Sequence, residues 1–130
     1  MATEAYYQKK IIERMIANGG TAVTGTLKTG EADIQGSLPM SLKTRKGMAF
    51  VDTTILATVI VEVKTPFNYD RIMRAVREEN GFLLIFNEVP LKKHEKLQIY
   101  KLNEVRKRGG VAMIAHSYDQ VKQRLEELGR

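Results

Sequence analysis

The chain contains no cysteine. That excludes a disulfide framework, thiol catalysis and any thiolate-ligated metal, and it fits a reducing compartment. Two histidines are too few for a His-rich metal cage. The three prolines, Pro39, Pro66 and Pro90, stand far apart and read as punctuation. Repeats, low-complexity tracts and a Pro- or Ser-rich linker are all missing. No apolar run reaches the length of a membrane span, and the N-terminus lacks the basic-then-apolar pattern of a secretion signal. The expectation is an intracellular protein, in cytoplasm or nucleoid, with no membrane partner.

What is present suits one compact domain over residues 1–130. Apolar residues make up 43% of the chain, enough for a core. Lys and Arg total 21 against 15 Asp and Glu, a net charge of +6. The surplus points to a polyanionic partner, nucleic acid first. Residues 3–18 predict a helix, with Thr3 as N-cap and Asn18-Gly19-Gly20 as its stop. Residues 21–38 look extended, and Ser41–Gly47 reads as a basic turn. The β-branched run 48–64 gives the clearest strand pattern, ended by Pro66. Residues 69–79 predict a short helix closed by Asn80-Gly81. Phe82–Phe86 fits either a buried strand or a helical segment. A second long helix is expected over 91–108, a strand over 111–115, and a last helix capped by Ser117. The class is therefore mixed α/β, a sheet covered by helices.

Four polar intrusions stand out. Helical periodicity aligns Glu4 and Gln8 with Ile11 and Met15, putting Glu4 on the core-facing stripe; a frayed first turn that favours an acid also explains it. On the long strand, alternation places Ile60, Glu62 and Lys64 on one face and Val59, Val61 and Val63 on the other. Either one face is wet, or a carboxylate and an ammonium project into one cleft. Asp33, just before Ile34, is disfavoured in a strand interior and equally suits a strand start. Gln98 shares a helical sector with Leu91, Leu102 and Val105, flanked by His94 and Glu95. Convergent carboxylates repel unless a cation neutralises them. With no Cys and little His, oxygen ligands favour Mg²⁺ or Mn²⁺. A hard cation on a basic protein suits phosphodiester chemistry, in which Lys64 orients water or stabilises developing charge.

The order Glu4, Asp33 and Glu62-Val63-Lys64 resembles the PD-(D/E)XK nuclease superfamily, and within it the small VRR-NUC branch. The likeness covers most of the chain. It includes the opening helix with Glu4 and Gln8, Gly30-Glu31-Ala32-Asp33-Ile34, Val61-Glu62-Val63-Lys64-Thr65-Pro66, and Gln98 followed by Gly109-Gly110-Val111-Ala112. Ala32 stands where the family usually has Pro. The stretch 67–96 is longer than in compact members and reads as an insertion holding an extra helix; 40–53 reads as a further inserted loop or hairpin. The resemblance implies a restriction-endonuclease-like αβββαβ core. It implies Mg²⁺ or Mn²⁺ held by Glu4, Asp33, Glu62 and the carbonyl of Val63, with Lys64 catalytic and Gln98 lining the site. It further implies a homodimeric endonuclease on DNA, similar to Holliday junction resolvases, where two equally placed sites suit a four-way junction.

The remaining basic residues fall in groups. Lys43, Arg45 and Lys46, with Lys92 and Lys93, are favoured as phosphate contacts because loops and helix starts approach a groove. Arg71, Arg74 and Arg77, and Lys101 with Arg106 to Arg108, form two more. No sequence-reading motif is present, so shape-selective binding is expected. The rival reading is a nucleic-acid-binding module that keeps the fold without catalysis; a second is an assembly protein whose basic face is incidental.

Overall fold

The computed structural model describes residues 2–25 and 32–129. The chain runs α1 (Glu4–Ala17), β1 (Thr21–Thr24), β2 (Ile34–Lys46), β3 (Ala49–Val63), α2 (Pro66–Met73), β4 (Val76–Glu79), β5 (Phe82–Ile85), α3 (Lys93–Lys107), β6 (Val111–Ala115) and α4 (Tyr118–Leu128). Of the motif Gly30 to Ile34, Gly30 and Glu31 lie outside the described residues. Among those residues no helix is long and apolar enough to cross a membrane.

The main sheet has the order β1-β2-β3-β6 and is mixed. β1–β2 and β2–β3 are antiparallel, whereas β3–β6 is parallel. A parallel pair needs a long crossover, and residues 64–110 supply it. Helices cover the sheet from both sides. Against one face, Ile11 and Met15 of α1 and Val121 and Leu125 of α4 pack on Val59, Val61, Val63, Met113 and Ala115. Against the other, Ile99 and Leu102 of α3 and Ile72 of α2 pack on Ala112 and Ile114. All five residues of β6 are buried, as expected for a strand covered on both sides.

Close approach fixes α1 on the sheet. A Cβ on Gly20 would lie 2.1 Å from the Ser37 carbonyl oxygen, so only glycine fits where α1 turns into β1. At the other end of the chain, the Ser117 hydroxyl accepts from Gln120 N–H and caps α4 as expected. Thr3 occupies the N-cap of α1 but makes no capping hydrogen bond with its side chain.

Three local expectations are corrected. Ser41–Lys46 is strand, not turn: β2 continues to Lys46 and reverses at Gly47 and Met48. Pro39 therefore sits inside a strand. It lies beyond Ser37, the last β2 residue paired with β1, where β2 has become an edge that tolerates a missing N–H. The helix expected at 69–79 starts and ends earlier, and Val76–Glu79 pairs with Phe82–Ile85 as a hairpin. Asn80 and Gly81 both have positive φ, 53° and 83°. They form the two-residue turn that Asn-Gly favours between strands, not a helix stop. The Asn103 side chain holds this hairpin to α3, accepting from Leu83 N–H and donating to Leu83 C=O.

Candidate active site

The β2–β3 register builds the centre of the site. Ile34 pairs with Val61, so one step further along the antiparallel ladder Asp33 faces Glu62. Ile34 and Val61 point into the α1–α4 core. Alternation turns Asp33 and Glu62 to the opposite face. Directly opposed like charges destabilise a sheet, so this pairing needs a compensating partner.

Glu62 and Lys64 are both buried, at 3% and 5% exposure, which overrides the wet-face reading of this strand. Glu62 stays on the covered side because its β6 neighbour, Ile114, packs under α3. The Gln98 amide of α3 donates to Glu62 Oε1 at 2.8 Å. Asp33 Oδ2 accepts from the Val63 backbone N–H at 2.8 Å. Gln8 of α1 donates to the Asp33 carbonyl at 2.9 Å. Both acids are thus anchored by groups from neighbouring elements.

The Glu62 carboxyl is pushed up to about 9, first of all by burial. Its hydrogen bond with Asp33 and the charges of Asp33 and Glu4 act in the same direction, while Lys64 opposes them. Glu4 therefore acts on the site through its charge. Its side chain is exposed in the first turn of α1, which corrects its placement on the core-facing stripe. The stripe is buried only at Ile11 and Met15. Gln98 Oε1 is buried with no hydrogen-bond partner, and a cleft of about 400 Å³ opens beside Glu62 and Gln98.

The donor set suits a hard cation. It offers two carboxylates in contact and an unpartnered amide oxygen, with no soft ligand. Among the described residues, however, no group of three or more His, Asp or Glu side chains is disposed to hold a metal ion. The close pair is Asp33 with Glu62.

A second buried acid was not singled out from the sequence. Glu95, at 3% exposure, accepts from both terminal nitrogens of Arg71 and from Lys92 N–H. Burial pushes its carboxyl up, but the Arg71 and Lys92 hydrogen bonds and the charges of Arg71 and Lys64 win and hold it at about 2. Lys64 thus feels two buried acids, Glu62 and Glu95. Arg71 and Glu95 are 24 residues apart, and no local spacing announces such a pair. Arg71 also donates to the Pro90 carbonyl. It is a structural clamp, not part of an open basic surface. Arg106 is likewise inward: it donates to the Ala112 carbonyl and pairs with Glu78. Lys43, Arg45, Lys46, Lys92 and Lys93 are exposed, the first three on the outer part of the β2–β3 hairpin. His94 is exposed at the start of α3, away from the acid pair's hydrogen bonds. Compared with known proteins, the chain matches no family model, no curated protein and no solved structure.

Proposed function

We propose that the chain is a metal-dependent DNA endonuclease of the PD-(D/E)XK type, acting on branched DNA such as four-way junctions. One observation carries this reading. The sheet register opposes Asp33 and Glu62 on the face that also bears Lys64, with Glu62 and Lys64 buried. An acid pair and an ammonium are costly to bury, and a core needs none of them. The element order α1, β1, β2, β3, α3, β6 supports the reading too, since it follows the αβββαβ arrangement with α2 and the β4–β5 hairpin added.

Asp33, Glu62 and the Val63 carbonyl would hold Mg²⁺ or Mn²⁺, with Glu4 contributing charge from the rim. The ion, when bound, supplies Lewis-acid polarisation of a phosphoryl oxygen and acidifies a coordinated water. The chain's own residues do the rest. Lys64 holds a positive charge beside the reacting phosphate and stabilises the negative charge that builds there. Gln98 fixes the Glu62 carboxylate and leaves an amide oxygen free to orient a water. A homodimer would present two such sites to the symmetric strands of a junction.

The second reading is a non-catalytic DNA-binding module. The exposed Glu4 and the lack, among the described residues, of a three-acid group set to hold an ion favour it. Nicking of branched DNA separates the two. With Mn²⁺, Lys64→Ala and Asp33→Ala are expected to lose nicking by at least about 100-fold while DNA binding in chelator persists. Wild-type rates in both variants would sink the site assignment, and no nicking by the wild type with either ion would leave the binding module.

A further inference from the structure

The face of the β2–β3 ribbon that carries Asp33 and Glu62 continues far beyond them. Alternation places Ile60, Leu56 and Phe50 of β3 on it, and Pro39, Lys43 and Arg45 of β2 opposite. From Glu62 to Phe50 this face runs about 40 Å. Two clefts lie along it. The first holds Glu62 and Gln98 at one end and Tyr100, Lys101 and Arg108 of the α3 side. The second, about 480 Å³, includes Leu56 and the Gly109-Gly110 turn. The two share Ile60, Val105 and Arg108, so they form one groove from the acid pair to the root of the hairpin arm.

The groove has an apolar floor, and its rim carries Lys101 and Arg108 beside Glu104. Tyr100 and Leu56, which line the groove, and Phe50, farther out on the same ribbon face, are 59%, 66% and 72% exposed. A blunt duplex offers phosphates on its outside and keeps its base faces stacked within, so it leaves such a floor unused. An unpaired strand presents both: phosphates for Lys and Arg, and π-faces for aromatic and apolar platforms. A second copy of the chain fits less well. Beyond the acid pair, which a metal ion neutralises on the nuclease reading, the face carries Lys43, Arg45, Lys101 and Arg108 against Asp52 and Glu104, so self-pairing sets surplus cation against surplus cation.

We infer that this groove, together with the ribbon face that continues it, binds an unpaired DNA strand that leads into the acid pair, with Tyr100 in the groove and Phe50 on the ribbon as stacking platforms and Arg108 and Lys101 as phosphate contacts. The inference rests on the nuclease reading and adds to its branched substrates a preference for those with an unpaired strand. The test is fluorescence anisotropy on the full chain in chelator, using a labelled 20-nucleotide single strand, a blunt duplex of the same sequence and a flapped duplex. The strand and the flap are expected to bind at least about tenfold more tightly than the blunt duplex. Tyr100→Ala and Phe50→Ala should each weaken strand binding by about tenfold and leave blunt-duplex binding unchanged. Both side chains are exposed, and thermal melts confirm that the variants fold; Arg108→Glu tests the phosphate contact independently. Equal affinity for strand and blunt duplex, or variants that bind like the wild type, overturns the inference. So does a Phe50→Ala variant that dissociates a dimer in sedimentation while strand binding stays intact. Chelator separates this result from catalysis. Strand binding without nicking in Mn²⁺ defeats the nuclease reading and spares the groove; nicking without strand preference does the reverse.

Discussion

At the scale of the residue, the decisive group is Glu62. Its carboxyl sits at about 9 in the folded chain, against 4.5 for the ordinary group. Between those values the metal-free folded protein keeps a proton that the unfolded chain has released. Stability from this group is therefore full below about 4.5 and declines as pH rises through about 9. Glu62→Gln removes the titration. The metal-free variant is expected to melt at least a few degrees higher than the wild type at pH 8, with little difference at pH 4.5. Added Mg²⁺ or Mn²⁺ should raise the wild-type midpoint and leave the variant's nearly unmoved. Melting curves at the two pH values, with and without metal, check this. An unchanged difference between pH 4.5 and pH 8 would count against the burial of this acid.

At the scale of the element, the region 66–92 shows how a helix, a hairpin and a helix start are tied together by side chains. Arg71 of α2 grips Glu95 at 2.5 Å and also reaches the Pro90 carbonyl. Breaking one partner of a buried pair leaves an uncompensated charge. Glu95→Ala is expected to destabilise the fold by about 3 kcal/mol, read from urea midpoints. The Glu95 carboxyl is held at about 2, below its ordinary range. Its contribution is thus present above about 4.5 and lost as pH falls through 2. The wild type should lose its advantage over Glu95→Gln across that window; a constant gap would show that packing, not charge, ties α2 to α3.

This region also marks where the sequence was least legible. Asn80-Gly81 serves a helix stop or a hairpin turn equally well. The choice depends on whether Val76 and Leu83 find a tertiary partner, here Ile72, Ile99 and Leu102 of the same core. By contrast, β3, β6, α1, α3 and α4 follow from local pattern, because a period of two or 3.6 needs no distant partner to be visible. The acid–lysine face of β3 was visible for the same reason. The contact of Glu62 with Gln98 spans 36 residues, so only the shared apolar sector of α3 hinted at it. Arg71–Glu95 gave no hint at all, because each residue alone looks like ordinary surface charge.

At the scale of the whole molecule, the protein is a two-sided core with an arm. From Ser41 to Leu56 nearly every side chain is exposed, and both faces of this ribbon lack a covering element among the described residues. The net charge of +6 is therefore unevenly used. Arg71 and Arg106 are spent inside, whereas Lys43, Arg45 and Lys46 are carried outward on the arm. Replacing residues 43–52 with an Asn-Gly turn removes no buried side chain. The shortened chain is expected to melt within a few degrees of the wild type. Its DNA affinity should fall and show a shallower dependence on salt, by about one unit of log–log slope for each phosphate contact removed. Titrations at several salt concentrations measure that slope; an unaltered slope would mean that the arm touches no phosphate.

The arm has one more consequence, and it concerns time. The Asp33 carboxylate meets the Val63 amide across 30 residues of chain, a long loop to close in one step. Yet the ladder between them is unbroken from Lys46–Ala49 at the tip to Ile34–Val61 at the base. Zipping from the tip replaces that single closure by a series of short ones, each with little loop entropy to lose. Residues that touch neither the core nor the acid pair would then guide those acids to their meeting point while the chain folds.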